Sequence, residues 1–158
     1  MYGSVKKKPM NHSNSHNGLK RLPIRLGLSL VILGLLIFVL GVDPALFGVD
    51  RSPVTGFVQI SVFLIGLAFI CLGGYITLSS LWNGTQRSIG ADIGLRMVAT
   101  GYVISVACGM ADIFGFGSQP FPNIPYFGPL QATGVVIGEA IIALGFLLLI
   151  PRHRKKTQ

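Results

Sequence analysis

The sequence predicts an all-α integral membrane protein, a left-handed bundle of four transmembrane helices built from two helical hairpins of the same (parallel) orientation. Three observations predict it: four long apolar stretches, Lys and Arg confined almost wholly to one side of them, and a repeat relating the second stretch to the fourth. Of the 158 residues, 51% are hydrophobic and 11% charged, and the formal net charge is +8. An average soluble domain carries about 25% charged residues, so a bilayer is the solvent that suits this composition.

A helix needs about 20 apolar residues to cross the hydrocarbon core. By that measure the spans run at about 24–42, 54–81, 93–116 and 130–150, within a membrane domain of residues 23–150. Residues 1–22 form a basic, Ser/Asn-rich cytoplasmic tail with too little apolar surface to bury, expected to be disordered, and 151–158 a second basic tail. The first span has the basic leader and apolar core of a signal peptide, but its apolar run is long and no small-x-small cleavage site precedes Asp43. It is therefore read as a retained anchor. The second span exceeds what a bilayer requires, so it should tilt or begin in the interface; Tyr75 and Trp82 near its inner end suit the aromatic belt. At the start of the third, Asp92 and Arg96 stand four apart and should form an exposed helix pair. Pro53 and Pro125 sit where helices two and four begin, positions at which a missing N–H costs little. The uncharged, proline-rich stretch 115–129 reads as an ordered loop that caps the outer end of the bundle.

Lys6, Lys7, Lys8, Lys20, Arg21 and Arg25 lie at or before the start of the first span, Arg87 and Arg96 between spans two and three, and Arg152, Arg154, Lys155 and Lys156 after the fourth. Arg51 alone falls elsewhere. Short cytoplasmic segments are enriched in Lys and Arg, so both termini and the Arg87 loop are expected in the cytoplasm and the protein in the cytoplasmic membrane. The same confinement accounts for the high pI without nucleic acid. The expected partners are the lipid bilayer and other membrane subunits, or a second copy of the chain in a homo-oligomer.

The repeat appears when spans two and four are compared at an offset of 72 residues: Pro53/Pro125, Gly56/Gly128, Gln59/Gln131, Ile65/Ile137, Gly66/Gly138, Ala68/Ala140, Ile70/Ile142, Leu72/Leu144 and Gly73/Gly145 are identical. Nine matches in 21 positions exceed the roughly two or three that an apolar composition supplies. Spans one and three share only spacing, with Gly27, Gly34 and Gly41 set against Gly101, Cys108 and Gly115. A duplicated in-out-in hairpin keeps its orientation, which makes the two halves a parallel repeat. Small or amide residues recur every seven positions in each span. In lipid, helices associate by close approach at small residues, and a period of seven favours a left-handed supercoil. Gly66, Gly73, Gly138 and Gly145 are therefore expected at the helix contacts; Gly134 and Gly138 add a G-x-x-x-G.

Glu139 is the residue with most chemical interest, being ionisable and about ten residues from either end of its span. A central charge costs roughly 2.5–3.5 kcal/mol on translocon scales, and such residues face a partner or a cavity. No Lys or Arg lies at comparable depth, so its carboxyl is expected to be uncharged at neutral pH. Asp112, in the outer third of the third span, continues a helical stripe of Gly101, Ser105, Cys108 and Gly109. Together with Tyr102, Ser105, Gln131 and Thr133, the two acids could line a narrow polar track for a proton or cation; otherwise each fixes helix register by a local hydrogen bond.

Cys71 and Cys108 lie within spans, without C-x-x-C or Cys/His metal spacing, and His12 and His16 are isolated in the tail. No metal or cofactor is expected on these residues. No H-E-x-x-H, G-x-S-x-G, Walker or dinucleotide motif occurs, so an enzyme is not expected. The sequence reads as a small non-enzymatic multi-pass protein working through helix packing as an accessory, assembly or sensor component. The alternative is a proton- or cation-coupled transporter or channel using Glu139 and Asp112.

Overall fold

The computed structural model describes residues 15–48, 56–82, 86–116 and 127–151. Pro53, Pro125, His12, Arg51, the outer loop residues 117–126 and the C-terminal basic tail lie outside these, as does the capping role expected of that loop. Four helices are long and apolar enough to cross a membrane, the architecture of a multi-pass membrane protein. They are α1 (Ser15–Val42), α2 (Phe57–Leu81), α3 (Ile89–Gly109) and α4 (Pro129–Leu149).

Two boundaries differ from the expected ones. The first helix begins at Ser15, inside the stretch expected to lack structure. Extending an existing helix gains one hydrogen bond per residue, and Pro23 within it removes one such bond without ending the helix. The third helix starts at Ile89 and stops at Gly109 rather than spanning 93–116. Ser88 sets its start, its Oγ accepting from the Ala91 amide at 3.2 Å. Beyond Gly109 the backbone tightens into turns, with the Phe114 amide on the Met110 carbonyl at 3.1 Å and Phe116 on Ala111 at 2.9 Å. Ile113, Phe114 and Phe116 are apolar but exposed, which is why hydropathy alone carried the span too far.

The helices pair by glycine. In the α1/α2 pair, Gly27 lies against Gly73 and Thr77, Gly34 against Gly66 and Ile70, and Gly41 against Phe63. In the α3/α4 pair, Gly94 meets Gly145 and Leu149, and Gly101 meets Gly138 and Ile142. Both orders run antiparallel. Each contact brings backbone against backbone, the kind of close packing that replaces the hydrophobic effect as the force between helices in lipid.

These contacts correct the register inferred from spacing. Gly27 and Gly34 occupy the packing positions of Gly94 and Gly101, not those of Gly101 and Cys108. At that offset of 67 residues, Leu28/Leu95, Val31/Val98, Ile37/Ile104, Val39/Val106, Phe47/Phe114 and Gly48/Gly115 are also identical. A seven-residue stripe looks the same after slipping by one repeat, so only the partner helix could distinguish the two alignments. The turn that follows α1, a short 3-10 helix at Pro44–Phe47, repeats the correspondence. It ends at Gly48, with φ 66°, and the turn after α3 ends at Gly115, with φ 79°. Both glycines donate an amide at the same place, Gly48 to the Ala45 carbonyl at 3.0 Å and Gly115 to Asp112 at 3.3 Å. Side chains other than glycine seldom adopt this left-handed backbone.

The pairs meet through α2, which packs on both α3 and α4, while among the described elements the backbone of α1 comes within 8 Å only of α2 and the 3-10 turn. Ile60, Phe63, Leu64 and Val135 form one buried cluster, and Leu67, Val98 and Ile142 another. The outer face of α1 carries exposed Leu28, Leu35 and Leu36, as befits a surface turned to acyl chains. At the C-terminal ends of α2 and α4, Trp82 donates its indole N–H to the Leu149 carbonyl at 3.1 Å, tying the two helices together.

Candidate functional site

Glu139 is the central residue of α4 and half-buried. The described backbones of α1 and α4 stay more than 8 Å apart; a groove of about 320 Å³ lies between the two helices, and Glu139 forms part of its wall. Phe38 and Val42 of α1, Phe63 of α2, and Phe127, Ala132, Val135 and Val136 complete the lining. Among the described residues Glu139 has neither hydrogen bond nor ion pair. The rings form a row: Phe38 meets Phe63 edge-on at 6.2 Å between centroids, and Phe63 meets Phe127 at 6.4 Å. In the first half of the chain the position corresponding to Glu139 is Leu67, buried in the core.

The other polar residues singled out from the sequence separate into two places. Ser105, fully buried, donates its hydroxyl to the Gly101 carbonyl at 3.0 Å and approaches that of Val135 at 3.4 Å. It belongs to the α3/α4 seam with Cys108, which abuts Gly134. Gln131 is 6% exposed and turns its Oε1 back on the Gly128 amide at 2.9 Å, capping α4. Asp112 lies in the turn after α3 rather than within a helical span, 9% exposed, and among the described residues its Oδ1 is buried without a hydrogen-bond partner, as is Nε2 of Gln131.

Tyr102 faces a different space, a groove of about 350 Å³ between α2 and α3 that it lines with Ala68, Cys71, Tyr75, Leu95 and Val98. Thr133 is exposed and bonds back to the Pro129 carbonyl at 2.8 Å. The structure thus sets Ser105 in the α3/α4 seam, Gln131 at the start of α4 and Asp112 in the turn after α3, and Glu139 and Tyr102 in separate grooves. Gly66, Gly73, Gly138 and Gly145 all stand buried at helix contacts. Asp92 and Arg96 form their exposed pair at 3.3 Å, and Arg87 stacks over the Tyr75 ring at 5.6 Å.

Sequence reasoning missed the aromatic row. Its members come from three separate segments, and the only signal available was that Phe38 lies near the outer end of one span and Phe63 near that of the next. Among the described residues no group of three His, Cys, Asp or Glu could hold a metal ion. No protein-family model, characterised protein or solved structure matches the chain.

Proposed function

We propose that this chain is a non-enzymatic multi-pass protein of the cytoplasmic membrane, acting through helix packing as an accessory or assembly component. The observation that carries the reading is the position of α1, whose backbone lies close to α2 alone among the described helices and whose leucine-rich outer face has no helical neighbour among them. Small residues mediate association in lipid, and in this chain they are spent on the two internal seams. A partner would therefore meet the remaining leucine-rich face of α1. Both termini and the Arg87 loop face the cytoplasm on this reading, supported by the one-sided Lys and Arg.

The two halves are a duplicated hairpin in the same orientation, forming a left-handed bundle. Matching glycine contacts at offsets of 67 and 72 residues support the duplication, and the seven-residue spacing of the contacts supports the handedness. Copurification in mild detergent tests the assembly role. A partner membrane protein should be retained by the native chain and lost when Leu28, Leu35 and Leu36 are replaced together by alanine. Recovery of the bare chain alone, under every mild condition, would overturn the reading.

A second reading, a proton- or cation-coupled transporter or channel, is favoured by one observation: the unpaired Glu139 in a groove near the middle of α4. Liposome flux driven by a proton or cation gradient, and abolished by Glu139→Gln, would support it; flux indifferent to both would remove it.

A further inference from the structure

The groove beside Glu139 combines features whose joint chemistry selects a ligand. Its wall bears one carboxyl without a partner among the described residues, Phe63 lines it, and Phe38 and Phe127 flank the Phe63 ring edge-on. The separation of the α1 and α4 backbones leaves room between the two helices, the way by which a molecule dissolved in the membrane would enter. A neutral acyl chain would cover the rings and leave the carboxyl unpaired, the costly state for an ionisable group away from water. A hydrated metal cation would need several oxygen ligands, whereas Glu139 is the only ionisable side chain in the described lining. An organic cation satisfies both surfaces, because aromatic rings attract positive charge once it is desolvated, and a cation beside a carboxyl favours its ionised form, so that a carboxyl uncharged in the empty groove gives up its proton and neutralises the ligand.

We propose that this groove binds a monovalent lipophilic organic cation, its charge against the Glu139 carboxylate and its apolar substituents against Phe38, Phe63 and Phe127. The site is single, since Leu67 occupies the matching position of the other half. The inference concerns binding. It deepens the transport reading but does not require flux, so a chain that binds the cation without moving it would refute transport and leave the site standing.

The test uses the full chain in a non-ionic detergent and equilibrium dialysis with labelled tetraphenylphosphonium, alongside tetraphenylborate, which has nearly the same shape and the opposite charge. Saturable binding of the phosphonium is expected, with no saturable binding of the borate. Glu139→Gln should weaken phosphonium binding at least about tenfold, and Phe63→Leu or Phe38→Leu by about threefold to tenfold. Equal binding of the two ions, or affinity unchanged in Glu139→Gln, would overturn the site and leave a groove that takes only lipid or detergent chains. If Glu139→Gln fails to purify as a monodisperse species, Ala132→Phe serves instead, filling the groove without altering charge. It should abolish phosphonium binding, and retained binding would place the ligand elsewhere and refute the proposal.

Discussion

Gly101 of α3 and Gly138 of α4 touch backbone to backbone: a methyl group on Gly101 would lie 2.6 Å from the Gly138 carbonyl oxygen, and one on Gly138 would lie 2.7 Å from that of Gly101. Neither separation admits a carbon atom, so the helices must part for any other residue. Gly138→Ala and Gly101→Ala should each destabilise the protein by about 1–3 kcal/mol, the usual cost of overpacking. Gly109→Ala is the control, because the nearest atom to its added methyl is 3.4 Å away. Unfolding in mixed micelles checks the contrast; equal effects at Gly138 and Gly109 would contradict this seam.

Ser105 and Gln131 each hydrogen-bond to backbone, Ser105 to the Gly101 carbonyl and Gln131 to the Gly128 amide. Ser105→Ala removes a hydroxyl bonded chiefly within its own helix and should cost less than about 1 kcal/mol, in line with polar contacts in other membrane bundles. Gln131→Leu loses the cap on Gly128 and should cost about 1 kcal/mol. Both variants are expected to assemble normally in detergent. A collapse of either on size exclusion would mean that the α3/α4 seam depends on these groups far more than their hydrogen bonds indicate.

Trp82 links the C-terminal ends of α2 and α4 through Leu149, itself fully buried. Trp82→Phe keeps an aromatic ring but removes the donor, leaving a buried carbonyl short of a partner, and should lower stability by about 1–2 kcal/mol. Thermal denaturation in detergent reads this directly. Arg96→Ala should change it by less than about 0.5 kcal/mol, because the Arg96–Asp92 pair is exposed on both sides and solvent screens it.

The orientation of the chain is open to labelling. In a background lacking Cys71 and Cys108, a cysteine replacing Gln86 or Gln158 should react with a membrane-impermeant thiol reagent only after the cell is opened, and one replacing Asp50 or Ser118 in intact cells. The reverse pattern would invert the assignment made from Lys and Arg.

Much of this architecture was legible before any coordinates. Gly66, Gly73, Gly138 and Gly145 announced themselves as contact residues because glycine at seven-residue intervals has a packing use in lipid and little other. What they contact was not legible. Gly27 seemed to correspond to Gly101 until Gly73 and Gly145 identified Gly94 as its counterpart. Asp112 likewise seemed to lie within a span, because apolar residues in a turn raise mean hydropathy as well as those in a helix do.

By itself the sequence determined the number of membrane helices, the stripes along which they pack and the presence of one ionisable group in the middle of the last. Those properties depend on composition and period, which are local. The tertiary structure alone decided that the backbone of α1 lies along α2 and apart from α4, that Glu139 lines the same groove as three phenylalanines, and that Tyr102 lies in another groove. Each of these depends on which surfaces come together, and in a bilayer every apolar face is equally at home against lipid. Shape complementarity between the helices made the choice, and it set the carboxyl and the aromatic row on the same cleft.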